Sequence, residues 1–159
     1  MELVKENNNI LRQKLISIDS INDEIKFLIK KMEEIMISSN GIGLAANQIG
    51  QNYQLFIIDK NLAQTNDVPS TFLNPEIVYL SKEQTTAEEG CLSLPEYWQN
   101  VTRSKKVKIK AIDDGGKKVP LSVKKGDVVI FTKYGPNEVK VGDKEYLIAK
   151  EDDILAIID

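Results

Sequence analysis

The sequence predicts an α+β fold in which one N-terminal helix packs on an antiparallel β-sheet or partial barrel. Three observations predict it: helical apolar spacing near the N-terminus, short apolar strands from residue 54 onward, and a final third with strand-like runs but no helical period. With 159 residues, 42% of them hydrophobic, the chain can bury about two-thirds of its unfolded surface around a single core.

The helix is expected from Ile21 to Ile37, where Ile21, Ile25, Leu28, Ile29, Met32, Ile35 and Met36 fall on one face. Ser20 with Asp23 three residues later forms a capping-box-like start, and Asn40 and Gly41 tolerate the left-handed turn that ends a helix. Ahead of it, Ile10, Leu11, Leu15 and Ile16 can pack on the core, while Asn7, Asn8 and Asn9 read as solvated tail. Leu55–Ile58 and Ile77–Leu80 read as buried strands joined by a loop from Asn61 to Ser70. Lys105–Asp113 alternates, with Val107, Ile109 and Ala111 on one face and three lysines on the other, and Asp114-Gly115 supplies turn chemistry. Further strands are expected at Val128–Thr132, Glu138–Val141, Glu145–Ala149 and Ile154–Ile158, separated by Gly, Pro, Asn and Asp turns.

Composition excludes several function classes. Twenty-one basic against 24 acidic residues give a net charge of −3, dispersed along the chain, which argues against a nucleic-acid partner. One cysteine excludes an intrachain disulfide framework, and the N-terminus has no apolar signal core, so the cytoplasm is the expected compartment. No window is apolar enough for a membrane span. The count of histidines is zero, which excludes Ser-His-Asp triads, Cys-His pairs and histidine-based zinc sites.

Two strings stand out, Gly41-Ile42-Gly43-Leu44-Ala45-Ala46-Asn47-Gln48 and Glu88-Glu89-Gly90-Cys91-Leu92-Ser93-Leu94-Pro95. By their own chemistry, the small residues of the first allow close backbone packing, and Cys91 is by default a small hydrophobe. Together the strings resemble peptide deformylase, over a region placed at residues 1–120. The resemblance implies a fold wrapped around a metal, held by the Cys91 thiolate and by two histidines of a later His-Glu-x-x-His helix whose glutamate is the general acid/base. It implies that the Leu92 N–H and the Gln48 amide stabilise the oxyanion, and that Gly43 admits the substrate chain. Gly41, Ile42, Glu89 and Gly90 would complete the substrate side.

The two imidazoles have no counterpart in this sequence, and Val123–Phe131, where the helix would be sought, is strand-like. Carboxylates such as Glu89, Asp127 or Glu138 make poor substitutes, because one thiolate with oxygen donors suits neither the usual zinc set nor an all-oxygen magnesium site. The expectation is therefore no metal, no other cofactor and no intact catalytic residue beyond the remnants Gln48, Cys91 and Leu92.

The tail resembles the C-terminal end of the GroES co-chaperonin, through Val123–Phe131, Lys133-Tyr134-Gly135, Glu145–Ile148 and Asp152–Ile158. That resemblance implies closing strands of a small barrel, with the last strand pairing between subunits. The combined reading is a chimera joined near Gly116–Lys124, with residues 121–159 sharing one core with the first part. Val129, Phe131, Leu147, Ile154 and Ile157 would pack on Leu28, Met32 and Phe56. The expected function is a catalytically silent pseudoenzyme. The alternatives are a peptide-binding groove, a GroES-like oligomer assembled through Ile154–Ile158 that modulates a chaperonin, and, last, a residual metal-dependent deformylase. Peptide or a second copy are the expected partners, without nucleic acid or membrane.

Overall fold

The computed structural model describes residues 1–118, 128–131, 137–141, 144–148 and 154–158, the last four segments through their strand backbones. Helix α1 spans Asp23–Ser38 and buries Ile25, Leu28, Ile29, Met32 and Met36, the face that the apolar spacing predicts. Its start differs from expectation by two residues. Asn22, not Ser20, is the cap: its side-chain oxygen accepts from the Ile25 N–H at 2.9 Å, and Asp23 and Glu24 then sit where the helix dipole favours negative charge. At the other end Asn40 takes the left-handed conformation (φ 52°), and the Gly41 N–H donates to the Met36 carbonyl at 2.9 Å.

Four strands form the main sheet in the order β1, β2, β3, β6, where β1 is Gly43–Ala45, β2 Leu55–Ile58, β3 Thr71–Leu80 and β6 Val107–Ile112. Pairing is antiparallel from β1 to β2 and from β2 to β3, with Leu44 opposite Ile57, Leu55 opposite Leu73 and Phe56 opposite Phe72. Because strand side chains alternate between faces, Leu44, Leu55, Ile57 and Leu73 cluster with the buried face of α1 around Met32, which is 0% exposed. Phe56 and Phe72 stack, ring centroids 4.6 Å apart.

The segment before α1 is tied to the same core. Ile18 is buried, and the Asn74 side chain clamps it, accepting from its N–H and donating to its carbonyl, both at 2.8 Å. Ile16 bridges in parallel to Tyr53, yet its side chain is exposed, and Asn8, exposed like Asn7 and Asn9, caps a 3-10 turn at Asn9–Arg12.

Three further expectations are corrected. The stretch expected as loop from Asn61 opens with a short helix, α2 (Lys60–Thr65), started by Asp59, whose carboxylate accepts from the Asn61 and Leu62 N–H groups. Only Ala63 of α2 is buried, so no apolar period marks it. Ile77–Leu80 is strand but not buried: Ile77 is 61% and Leu80 54% exposed, and the buried half of β3 is Thr71, Phe72 and Leu73. A hairpin of β4 (Gln84–Cys91) and β5 (Leu94–Ser104) was not anticipated as such, because β4 is mostly polar and neither strand buries an alternating set of residues. At the end of β6 the turn is organised by Asp113, which accepts through its side chain from the Gly115 and Lys117 N–H groups, while Gly116 takes φ 80°.

The chain divides into two compact units. The first comprises Met1–Pro75, Thr86–Thr102 and Ala111–Val119 and holds the core just described. The second comprises Glu76–Thr85, Arg103–Lys110 and the described strands after residue 120. Within it Lys105 pairs with Glu83 at 2.7 Å, and four strands form two antiparallel pairs: β7 (Val128–Phe131) with β10 (Ile154–Ile158), and β8 (Asn137–Val141) with β9 (Lys144–Ile148). The final strand thus pairs within its own chain. Thr132, Ala149 and the junction expected near Gly116–Lys124 fall wholly or partly outside the described residues, as do the side chains expected to pack on Leu28, Met32 and Phe56. The α+β class with antiparallel sheets holds, whereas a GroES-like composite does not emerge from the described residues.

Candidate functional site

Both strings lie in the first unit. The Gly41–Gln48 string runs from the end of α1 through β1 into a 3-10 turn, Ala46–Ile49, closed by Gly50 at φ 78°. Ala46 and Ile49 are buried, which pins the turn and leaves Gln48 half-buried between them. Gln48 Oε1 accepts from the Ala45 backbone N–H at 2.9 Å. Only the amide oxygen can accept that proton, so the bond fixes which way round the amide lies and directs Nε2 outward. Nε2 donates to Cys91 Sγ at 3.6 Å. On the main-chain side the Gln48 carbonyl accepts from the Val4 N–H at 2.8 Å, so the N-terminal segment also holds this turn.

The second string is the end of β4 and the tight turn into β5. Cys91 is a free thiol and exposed, and Leu92 beside it is half-buried against the core. Gly90 sits close under a side chain: a Cβ there would stand 3.1 Å from the Trp98 indole, which lies across the hairpin and would have to shift. Gly41 is packed more tightly, since a Cβ would meet Leu92 Cδ1 at 2.7 Å and Met36 Cγ at 3.3 Å and would force the leucine to move. Gly41 is therefore the point at which the helix end, the first string and the second string pack together.

Gly43 is different. A Cβ there meets only ordinary contacts, the nearest being the Ile57 carbonyl at 3.4 Å, and its φ is not left-handed. The Ile42 carbonyl accepts from the Asp59 N–H at 2.9 Å, and a strand residue directs its N–H and C=O to one side, alternating along the chain. The main-chain groups of Gly43 thus face away from β2, along the edge of β1 that carries no strand among the described residues. Ile42 is 75% exposed beside this edge, and Trp98 is 63% exposed.

The structure therefore brings Gly41, Gly43, Gln48, Gly90, Cys91 and Leu92 together in one unit. Glu89, two residues before Cys91, shares its strand. Three contributors were not foreseen: the Ala45 N–H that orients Gln48, the Val4 N–H that holds its carbonyl, and Trp98 over Gly90. The single tryptophan was the only sequence signal available for any of them. A separate cleft lined by Ile18, Asp19, Lys26, Ile112 and Asp114 contains no residue of either string.

The metal implied by the resemblance can be tested against the donors present. Cys91 supplies one soft ligand, the 159 residues contain no imidazole, and no cluster of three His, Cys, Asp or Glu occurs among the described residues. A catalytic zinc takes three protein ligands and keeps one open position. The described residues do not fit that group.

Comparison with known proteins extends the resemblance. The family described as polypeptide deformylase matches residues 1–132. Peptide deformylase 1 of Clostridium perfringens is 46% identical over 109 residues, covering 69% of this chain and 71% of its own. The peptide deformylase of Pseudothermotoga lettingae is 40% identical over 110 residues, of which the chain spans 61% of the relative's length. Among solved structures, the Thermotoga maritima peptide deformylase superposes with a TM-score of 0.67 at 32% identity, covering 74% of this chain and 77% of that one. The Synechococcus elongatus peptide deformylase in complex with actinonin also gives 0.67, at 34% identity, covering 74% and 62%.

These findings correct the expectation of a silent chimera. The family match runs past Gly116–Lys124 to residue 132, so the segment assigned to a co-chaperonin lies in part within the deformylase match, and the GroES-like assignment is unsupported. Relatives at 40–46% identity are named as enzymes, which overturns the pseudoenzyme reading and with it the co-chaperonin alternative. The physical reason for the error is that a strand-rich tail with Gly and Asp turns is common to many β-structures and is weak grounds for a second parent.

Proposed function

Because the chain belongs to the peptide deformylase family, we propose that its function is removal of the formyl group from the N-terminus of a formylated peptide. The chain spans 61% and 71% of the two relatives named above, and the activity is offered for the protein on that footing. The observation that carries the reading is the fixed amide of Gln48, oriented by the Ala45 N–H and with its Nε2 donating to Sγ of Cys91, the residue before Leu92.

In the reaction, water oxygen bonds to the formyl carbon, the carbon–nitrogen bond breaks, the amine takes a proton, and formate leaves. Negative charge develops on the formyl oxygen as that bond forms. A donor already fixed toward that oxygen stabilises it without reorganising, and one such donor accounts for about 10² to 10³ in rate. Gln48 Nε2 and the Leu92 N–H are the donors assigned here. The peptide chain lies as an added strand along the open edge of β1, bonded to the main-chain groups of Gly43. Glycine at 43 supports this placement, since the scaffold itself has room for a side chain there. Water activation is not assigned to any described residue.

The partner in this reading is the formylated peptide, with no nucleic acid, in keeping with the dispersed charge of −3. No helix among the described residues is long and apolar enough to cross a membrane, and a cytoplasmic site of action is part of the proposal. The test is formate release from a formylmethionyl tripeptide with divalent metal supplied. Release reduced about 10² to 10³-fold by Gln48→Leu is expected. Release indifferent to that substitution, or no release above the uncatalysed rate, overturns the reading.

A further inference from the structure

A metal seated at Cys91 requires further donors converging on the same point as its sulfur. Cys91 is the chain's only cysteine, and no histidine exists anywhere in the sequence. The contact described at Sγ is the Gln48 amide, which approaches through Nε2, a hydrogen-bond donor and not a ligand. Gln48 Oε1, the atom of that amide able to coordinate a hard cation, is turned to the Ala45 N–H, and it is Nε2 that meets the sulfur. Turning the amide to offer oxygen would leave that part-buried N–H without its acceptor. Glu89 lies on the same strand face two residues away, and the donors near Cys91 do not reach three among the described residues. A thiolate with one carboxylate matches neither the thiolate and imidazole set of zinc nor the all-oxygen set of magnesium.

We infer that Cys91 is an open, unligated thiol in this chain, held against the Gln48 amide rather than serving as one corner of a three-ligand metal site. The inference rests on the donor set, not on the proposed function. It also makes Cys91 accessible to thiol reagents under conditions in which a coordinated cysteine is shielded.

The experiment uses the full chain and reads the thiol itself. One thiol per chain is titrated with an aromatic disulfide reagent, alone, with equimolar Zn²⁺, and with a chelator, while Co²⁺ is added separately to follow sulfur-to-cobalt charge-transfer absorption. The expected result is the same rate of thiol reaction in all three conditions, within about twofold, and no charge-transfer band at equimolar Co²⁺. Protection of the thiol by Zn²⁺ that is reversed by chelator overturns the inference. So does a stoichiometric cobalt–thiolate band that is lost in Cys91→Ser. Saturable binding of a formylmethionyl peptide, measured on the same samples, reports on the proposed function separately, so failure of one reading does not masquerade as failure of the other.

Discussion

Replacing Gln48 in two ways separates its structural role from its chemical one. Its Oε1 accepts from the part-buried Ala45 N–H at 2.9 Å, and its Nε2 donates toward Cys91 at 3.6 Å. Gln48→Leu removes both interactions and strands the Ala45 N–H, at a cost of about 1–3 kcal/mol. For a chain of this size, that corresponds to a fall in melting temperature on the order of 5 °C. Gln48→Glu keeps an acceptor for the Ala45 N–H but replaces the polarising donor by a carboxylate oxygen. Its stability is expected to stay within about 1 kcal/mol of wild type, while formate release falls about 10² to 10³-fold. The assays are urea denaturation with circular dichroism and coupled detection of formate. Equal stability losses in the two variants would show that the Ala45 bond does not fix the amide. Undiminished formate release in Gln48→Glu would show that Nε2 is not the donor.

Three other perturbations follow from the same structure. Val4→Pro deletes the N–H that holds the Gln48 carbonyl at 2.8 Å; about 1 kcal/mol of stability and part of the peptide affinity should be lost, whereas Val4→Ala, which keeps that N–H, should retain the affinity, and equal affinity losses would refute the role. Met32→Ala empties the most buried position of α1, and a loss of about 2–5 kcal/mol in denaturant unfolding is expected; a loss below 1 kcal/mol would mean that the core is not centred there. The hydrogen bond from Lys31 to Glu34, at 2.6 Å, together with the Lys31 charge, holds the Glu34 carboxyl below the usual glutamate range. A depressed carboxylate favours the fold above its ordinary pKa and loses that effect as pH falls through the lowered value; with Glu34 in solvent the effect on stability is small. In an NMR titration Lys31→Met should raise the Glu34 midpoint, and an unmoved midpoint contradicts the pairing.

Much of the fold is legible in the sequence because burial on one face leaves a period. Helix α1 carries that period and the structure places it within two residues of the expected start, while the core strand β2 was legible as a short continuous apolar run. The hairpin β4–β5 is not legible by the same rule, since Gln84, Thr85, Thr86, Glu88 and Glu89 bury nothing that alternates. Ile77–Leu80 misled in the opposite direction: an apolar run reads as core, but only the tertiary arrangement decides that Thr71–Leu73 is the half that is covered. The shift of the helix cap from Ser20 to Asn22 shows that two capping side chains two residues apart cannot be ranked by chemistry alone.

At the site, the two strings were visible as strings, and the tight packing at Gly41 and Gly90 became physical only when Leu92 and Trp98 were seen against them. The orientation of Gln48 was not legible at all. It depends on a main-chain N–H three residues back and on an N-terminal contact 44 residues away, neither of which leaves a residue-type signal. The tail illustrates the limit of likeness: strings from Val123 to Ile158 resembling a co-chaperonin suggested a second parent, and the family match through residue 132 runs into the segment assigned to it.

The most direct test of the central claim is an amide NMR titration of the full chain with a formylmethionyl tripeptide. Saturable shifts at Gly43, Ala45, Gln48 and Leu92, weakened in Gln48→Leu, are the predicted result. Absence of saturable shifts, or shifts confined to the separate cleft at Ile18, Lys26 and Ile112, would contradict it.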